Sequence, residues 1–239
     1  MRMRSSISAT KLVAVAVCLL GALAGPQAAS ALVIDFTLAG TGNLGVGTYT
    51  AGPVTVDAFY ELNGSFTSTG VSLVGFNAVD HHGFGVCSPP ESGCTAGGTN
   101  SELDNLGPSE LIRLTLAPGW RWVDVSVSAL TTVILSDKGQ LLYANSDGLP
   151  GDLSFATLFA SFTAADGAEQ TLALDGSAAL APFLYFLPGP LITTNNDDFL
   201  VWRVTVERAE AVPEPMIALL LGVALAALSV LARKRARRK

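Results

Sequence analysis

The body of the chain consists of short alternating apolar and polar runs separated by turn residues. The clearest run covers 54–62 and places on one face of a strand Val54, Val56, Ala58, Tyr60 and Leu62. Asn63-Gly64 follows directly, and both residues tolerate the positive φ of a type I′ hairpin turn. No stretch over 32–212 carries a sustained apolar stripe of helical period. The pattern predicts an all-β fold, an antiparallel β-sandwich or jelly roll.

Further turns and strands extend this prediction. A turn at Asp137-Lys138-Gly139, with Gly139 in the left-handed position, is expected to join TTVILS to QLLYA, and Asp166-Gly167 to join LFASFTA to EQTLAL. The segment 177–190 fits either a short helix or a buried strand. The last strand, 200–206, is expected to set one face, Leu200, Trp202, Val204 and Val206, against Val201, Arg203 and Thr205.

The N-terminus has the layout of a secretory signal peptide. Three basic residues accompany an apolar run over 12–24, and Ala29-Ser30-Ala31 fits the small-x-small cleavage pattern. A retained anchor is the alternative, but this run is too short to cross a hydrocarbon layer of about 30 Å. We expect residues 1–31 to be removed and the mature chain to begin near Leu32.

The C-terminus predicts one membrane-spanning helix. Residues 216–232 carry no charge and would extend about 25 Å as a helix, the short limit for a span. The tail 233–239 holds six Lys or Arg residues, which stay cytoplasmic and place the body outside the inner membrane. A buried core helix is the alternative, but the dense basic tail disfavours it.

Directly before this helix lies Pro213-Glu214-Pro215. Two prolines around a glutamate do not fit a helix or a sheet interior, so an extended, protease-accessible joint is expected. The order of tripeptide, apolar helix and basic tail over 213–239 resembles the PEP-CTERM sorting signal of Gram-negative bacterial surface proteins. The resemblance implies processing by exosortase, a membrane-embedded Cys-dependent transpeptidase, and association with exopolysaccharide or a biofilm matrix. A simple C-terminal anchor is the alternative.

Charge is segregated along the chain. All 20 acidic residues lie between Asp35 and Glu214, where only five basic residues occur, so this stretch carries a net charge of −15 while the whole chain carries −6. Nucleic-acid binding needs clustered Lys and Arg, and this body excludes it. The acidic residues show no pattern that indicates catalysis, so the sequence predicts a protein that is not an enzyme.

Cys87 and Cys94 are the only cysteines left once the signal peptide is removed. They enclose SPPESG, whose prolines and glycine bend the chain, and in an exported domain this predicts a disulfide. A metal or redox pair is the alternative, but neither C-x-x-C spacing nor a second pair is present. His81 and His82 are expected to form a solvated or core-edge pair, because adjacent strand residues point to opposite faces.

The segment around 102–107 combines several hard oxygen ligands. Glu102, Asp104 and Asn105 lie within four positions, as a Ca²⁺ site would need. An Asx-type turn at Asp104-Asn105-Leu106-Gly107 is the alternative. The order of G-x-G-V at 83–86, E-L-D-N-x-G at 102–107 and an apolar strand also resembles the extracellular β-domain found in a number of PEP-CTERM proteins.

Trp120 and Trp122 share one face of a predicted strand, opposite a face rich in valine. If the valine face is the core, both indoles point outward, where they would suit stacking on sugar rings. Burial of the tryptophans is the alternative.

The sequence therefore predicts an exported, non-enzymatic surface protein. It would cross the inner membrane through a transient anchor, be processed by an exosortase-type enzyme, and work near exopolysaccharide at the cell surface or in the extracellular matrix of a Gram-negative bacterium. The alternative is a Ca²⁺-dependent carbohydrate-binding module over 32–212, with Ca²⁺ as its cofactor.

Overall fold

The computed structural model describes residues 30–89, 94, 102–105, 108–131, 137–189 and 197–209. The predicted signal peptide, apart from its last two residues, and the whole predicted sorting signal lie outside this part of the chain. The chain divides into two units, Met1–Ser30 and Ala31–Lys239, and every element described below belongs to the second unit.

The second unit consists mainly of β-strands. They are β1 (Ala31–Asp35), β2 (Gly42–Asn43), β3 (Thr48–Ala51), β4 (Val54–Leu62), β5 (Ser65–Thr67), β6 (Ser72–Ala78), β7 (His81–Cys87), β8 (Glu110–Leu116), β9 (Trp120–Ser128), β10 (Lys138–Ala144), β11 (Thr157–Thr163), β12 (Gln170–Ala173), β13 (Phe183–Pro188) and β14 (Leu200–Arg208). A short helix, α1 (Gly176–Leu180), and two 3₁₀ turns, Phe36–Ala39 and Ala164–Asp166, complete the described elements.

The strands form two seven-stranded antiparallel sheets. The first sheet has the order β12-β9-β14-β7-β6-β2, with β1 also paired to β14. The second sheet has the order β11-β10-β13-β8-β4-β3, with β5 also paired to β4. This arrangement is consistent with a β-sandwich and confirms the predicted all-β class.

One hydrophobic core contains residues from both sheets. Phe84, Val125 and Val204 of the first sheet and Val56 and Leu114 of the second are fully buried in it. Burial of side chains of this size stabilises the fold by about 1.5–3 kcal/mol each. The alternation predicted for β4 is confirmed for Val54, Val56, Ala58 and Tyr60, which all belong to this core, but Leu62 at the strand end is 51% exposed.

The Asn-Gly hairpin is also confirmed. Leu62 pairs with Ser65 across the turn between β4 and β5. Asn63 has φ 55° and Gly64 has φ 81°, so both central residues are left-handed, as a type I′ turn requires.

The two later turns differ from the prediction. Gly139 lies inside β10, opposite Phe162 of β11, and the Phe162 ring occupies the space that a Cβ at Gly139 would need. Strands β11 and β12 belong to different sheets, so they do not form a hairpin around Asp166-Gly167. The segment 177–190 forms both predicted structures in turn, the end of α1 and then β13.

A smaller apolar cluster covers the outer face of the second sheet. It contains Phe59, Phe66, Leu111, Ala144 and Tyr185, with Leu149, Leu153 and Phe155 of the following loop packed against it. Arg113 connects the start of this loop to the sheet through two ion pairs. Its guanidinium lies 2.8 Å from Oδ2 of Asp57 in β4 and 2.5 Å from Oδ2 of Asp147 in the loop. The loop between β10 and β11, residues 145–156, therefore packs onto the sheet.

Candidate functional site

The predicted tryptophan platform is wrong, because Trp122 is a core residue. Its side chain is 1% exposed, and its indole Nε1 donates a hydrogen bond to the carbonyl oxygen of Ala181 at 2.8 Å. Trp120 is half-buried, and the Arg208 guanidinium lies 4.7 Å from its ring centroid. Because Trp122 is enclosed, the two rings do not form a paired outward platform.

A β-bulge explains why the alternation of β9 misplaces Trp122. Trp122 lies opposite Val206, whereas Asp124 lies opposite Thr205, which leaves Val123 as an extra residue in β9. The extra residue shifts the pleat by one position, so that Trp122 joins the core face together with Val125. Counting alternate residues along the sequence does not reveal such an insertion.

A second irregularity in the same strand pair corrects the prediction for β14. The register shifts between Val201 and Arg203, so Trp202 is the extra residue there. Val201, Val204 and Val206 all join the main core, while Leu200 packs in a separate cluster. Trp202 instead stacks on His82, with the ring centroids 5.0 Å apart.

The predicted disulfide between Cys87 and Cys94 is confirmed. Cys87 ends β7, and the two Cα atoms are 5.9 Å apart. Cys94 packs with Val74, Phe76 and Leu200 in an apolar cluster. The disulfide therefore ties a loop segment to the first sheet.

The three predicted calcium ligands lie near one another, and the side chains of Glu102 and Asn105 face different partners. The Glu102 Oε1 atom is 3.6 Å from His81 Nε2, and the Asp104 amide donates to Glu110 Oε2 at 3.3 Å. The Asn105 side-chain amide donates to the carbonyl oxygen of Gly189 at 3.2 Å, and its Oδ1 atom accepts from the Asp197 amide at 3.1 Å. Asn105 thus connects two segments of the chain through hydrogen bonds.

Glu102 belongs to a larger group, the acidic cluster, made up of Glu102, Asp137, Asp197 and Asp198. Backbone hydrogen bonds between Leu103 and Phe199 align the segments that carry Glu102 and Asp198. The Asp198 carboxyl group hydrogen-bonds to both Glu102 and Asp137. Sequence reasoning missed Asp137 and Asp198 as neighbours of Glu102, because only the pairing of distant segments brings them together.

The acidic cluster holds protons unusually tightly. Burial, together with the charges of Asp137 and Asp104, raises the pKa of Glu102 to about 7, although a hydrogen bond from Asp198 opposes the shift. Burial and the charges of Glu102 and Asp137 raise the pKa of Asp198 to about 8. Burial also raises the pKa values of Asp137 and Asp197. At neutral pH Glu102 and Asp198 therefore keep protons for part of the time, because full ionisation would place several like charges together.

The donor chemistry of the acidic cluster suits Ca²⁺, which prefers carboxylate and carbonyl oxygens. Among the residues that the structure describes, however, no three His, Cys, Asp or Glu side chains form a group arranged to hold a metal ion. The two histidines do not share a site, because His81 faces Glu102 while His82 Nε2 lies 3.3 Å from Glu169 Oε1. Calcium binding stays a prediction.

Comparisons with known proteins do not identify a family for this chain. No family model and no curated protein matches the chain. Among solved structures, the family 32 carbohydrate-binding module of C. perfringens NanJ in complex with galactose aligns with 11% identity and a TM-score of 0.32, over 73% of this chain and 99% of that module. A TM-score this low carries no argument about fold or ligand.

In the described part of the chain, no helix is both long and apolar enough to cross a membrane. The helix predicted over 216–232 and the tripeptide Pro213-Glu214-Pro215 lie outside the described residues. Both stay predictions from the sequence.

Proposed function

We propose that this chain is an exported, non-enzymatic surface protein whose β-sandwich body is delivered by two apolar ends. The signal peptide 1–31 starts export, and the sorting signal 213–239 holds the body at the inner membrane until an exosortase-type enzyme processes it. The body then works in or near an exopolysaccharide layer of a Gram-negative bacterium.

The disulfide between Cys87 and Cys94 is the structural observation that carries this proposal. Disulfides persist in oxidising compartments outside the cytoplasm and are rare inside it. Both cysteines lie in the body, and the body follows the predicted signal peptide in the chain. The disulfide and the N-terminal pattern therefore support the same compartment independently.

Removal of the sorting tripeptide tests the proposal directly. Replacing Pro213 and Glu214 by alanine is expected to abolish processing, because the Pro-Glu-Pro order on which the resemblance to the sorting signal rests is then lost. The protein should accumulate at its unprocessed length in the inner-membrane fraction, measured by immunoblotting of fractionated cells. A variant with Glu210→Ala is the matched control, since it removes one nearby carboxylate and leaves the tripeptide unchanged.

The control variant should be processed and displayed like the unmodified protein. Unchanged processing and surface display of the Pro213→Ala, Glu214→Ala variant would contradict the proposed sorting route. Loss of display in the control alone would also contradict it, because the upstream charge would then be the recognised feature.

The proposal also includes Ca²⁺ as a ligand of the exported body, bound at the acidic cluster. The acidic cluster buries carboxyl groups that share hydrogen bonds, and a divalent cation would relieve their repulsion once their protons leave. Weak sites suffice in extracellular media, where dissociation constants of about 0.1–1 mM are typical of calcium-binding modules. The stability measurements described in the Discussion test this ligand.

A further inference from the structure

A pocket of about 380 Å³ lies at the edge of the second sheet, on β10 and β11. Its polar lining consists of four side chains, those of Lys138, Gln140, Ser161 and Thr163. The volume falls within the range of about 300–1,000 Å³ that small-molecule sites occupy. No motif in the sequence points to this place.

The register of the two strands creates the polar lining. Lys138 lies opposite Thr163, and Gln140 lies opposite Ser161. Residues that are directly opposite in an antiparallel pair, or two apart on one strand, share a face of the sheet. All four side chains therefore project on the same side, while Phe162 between them packs into the main core.

The hydrogen-bonding groups of this lining are available to a ligand. Within the described part of the chain, no backbone or side-chain group hydrogen-bonds to the Gln140 amide, the Ser161 hydroxyl or the Thr163 hydroxyl. Ser161 and Lys138 are exposed, and Gln140 and Thr163 are half-buried. Together they present donors and acceptors over a small area, which matches a ligand with several hydroxyl groups.

An apolar contact lies at one end of the row. Leu158 of β11 is 52% exposed and lies opposite Leu142, which packs in the outer cluster of the second sheet. A sugar ring offers hydroxyl groups at its edge and C–H groups on its faces, so it can use both kinds of contact. Because β11 is the last strand of its sheet, a long chain has room to lie beside it.

The charge around the pocket favours an uncharged ligand. Lys138 is the one cation in the lining, and Asp197 accepts a hydrogen bond from its backbone amide. Asp197 belongs to the acidic cluster, which would repel an anionic sugar. The Lys138 charge also lies near the Asp197 carboxyl group, which partly compensates it, and the ammonium group offers donors to the hydroxyl groups of a ligand.

We propose that this pocket binds a neutral hexose unit of a polysaccharide. The proposal rests on the proposed surface function only for the source of the sugar, since the pocket lies within the folded body. It replaces the tryptophan pair as the carbohydrate site and uses hydrogen bonds in place of stacking.

Affinity electrophoresis tests the pocket on the full chain as its host produces it, purified in mild detergent. Dextran and galactomannan serve as neutral probes, and polygalacturonate serves as the acidic probe. A variant with Gln140→Ala and Ser161→Ala should bind the neutral polysaccharides at least about tenfold more weakly, because two hydrogen bonds are lost. A variant with Thr50→Ala and Thr55→Ala is the matched control, since this exposed threonine pair lies on β3 and β4 near the other edge of the same sheet.

Retardation by a neutral polysaccharide that the control keeps and the pocket variant loses would support the proposal. Three results would overturn it: no retardation of the unmodified protein by either neutral probe, equal retardation of both variants, or retardation by polygalacturonate alone. Melting temperatures of both variants are compared, so that a loss through unfolding is recognised. Failure here leaves export and processing untouched, because those are measured separately through Pro213 and Glu214.

Discussion

Replacing Trp122 by alanine should lower the free energy of unfolding by about 3–5 kcal/mol, the cost of truncating a large buried aromatic side chain. The indole is fully enclosed by the core, and its Nε1 atom is bonded to the Ala181 carbonyl oxygen. The truncation therefore opens a cavity and leaves a buried carbonyl without its donor. Denaturant unfolding followed by circular dichroism measures the change as a shift in midpoint.

Trp120→Ala is the matched control for this substitution. Trp120 lies on the same strand, is half-buried and packs against Arg208 by a cation–π contact. Its replacement should cost about 1 kcal/mol, chiefly the lost cation–π contact and a partial loss of apolar burial. Equal costs for the two variants, or a larger cost for Trp120→Ala, would contradict the burial of Trp122 in the core.

The second large effect is expected at the acidic cluster. In a buffer without divalent cations, Asp198→Asn should raise the free energy of unfolding at pH 8 by on the order of 1–2 kcal/mol. The amide keeps a hydrogen-bond donor beside Glu102 and Asp137 but removes a carboxyl group that would ionise in a buried place. Asp166→Asn is the matched control, because Asp166 is exposed and its replacement should change stability by less than about 0.5 kcal/mol.

The pH dependence of stability follows from the same groups. The pKa of Glu102 is raised from 4.5 to about 7, and that of Asp198 from 3.8 to about 8. Between pH 4 and pH 8 the folded state therefore keeps protons that the unfolded state has released, so the free energy of unfolding falls as the pH rises. The unmodified protein should be more stable at pH 5 than at pH 8, and Asp198→Asn should flatten this slope.

The same stability measurements, repeated with Ca²⁺, test whether the acidic cluster binds calcium. If the acidic cluster binds Ca²⁺, about 1 mM CaCl₂ should raise the melting temperature at pH 8 and have little effect at pH 5, where the carboxyl groups keep their protons. Asp198→Asn should reduce this rise. A melting temperature that does not respond to Ca²⁺ at pH 8 would remove calcium from the proposal, and stability that increases from pH 5 to pH 8 without cations would contradict the shared protons.

Local patterns predicted much of the fold. The alternation of β4 and the Asn63-Gly64 turn depend on neighbouring residues alone, and both appear as expected. The disulfide was predictable for a similar reason, since the two cysteines are only seven positions apart in the sequence. In each case the relevant physical chemistry acts within about ten residues.

The sequence did not predict features that depend on pairing between distant segments. One extra residue in β9 places Trp120 and Trp122 on the same face as Val125 and Val127, whereas simple alternation predicts opposite faces. Only the register against β14 reveals this residue. Likewise, strands β11 and β12 lie in different sheets although a turn sequence separates them. The candidate sites were the hardest to predict. The acidic cluster depends on the pairing of distant segments, and the β10–β11 pocket depends on the register between two strands.

The intact mass of the protein isolated from the cell surface or medium tests the central claim most directly. A chain that starts near Leu32, ends near Pro213-Glu214-Pro215 and is lighter by the two hydrogens of one disulfide would agree with export, sorting and oxidation together. Any mass beyond those residues would report a group attached during processing. A mass equal to the complete 239-residue chain, or two free thiols on alkylation, would contradict the account.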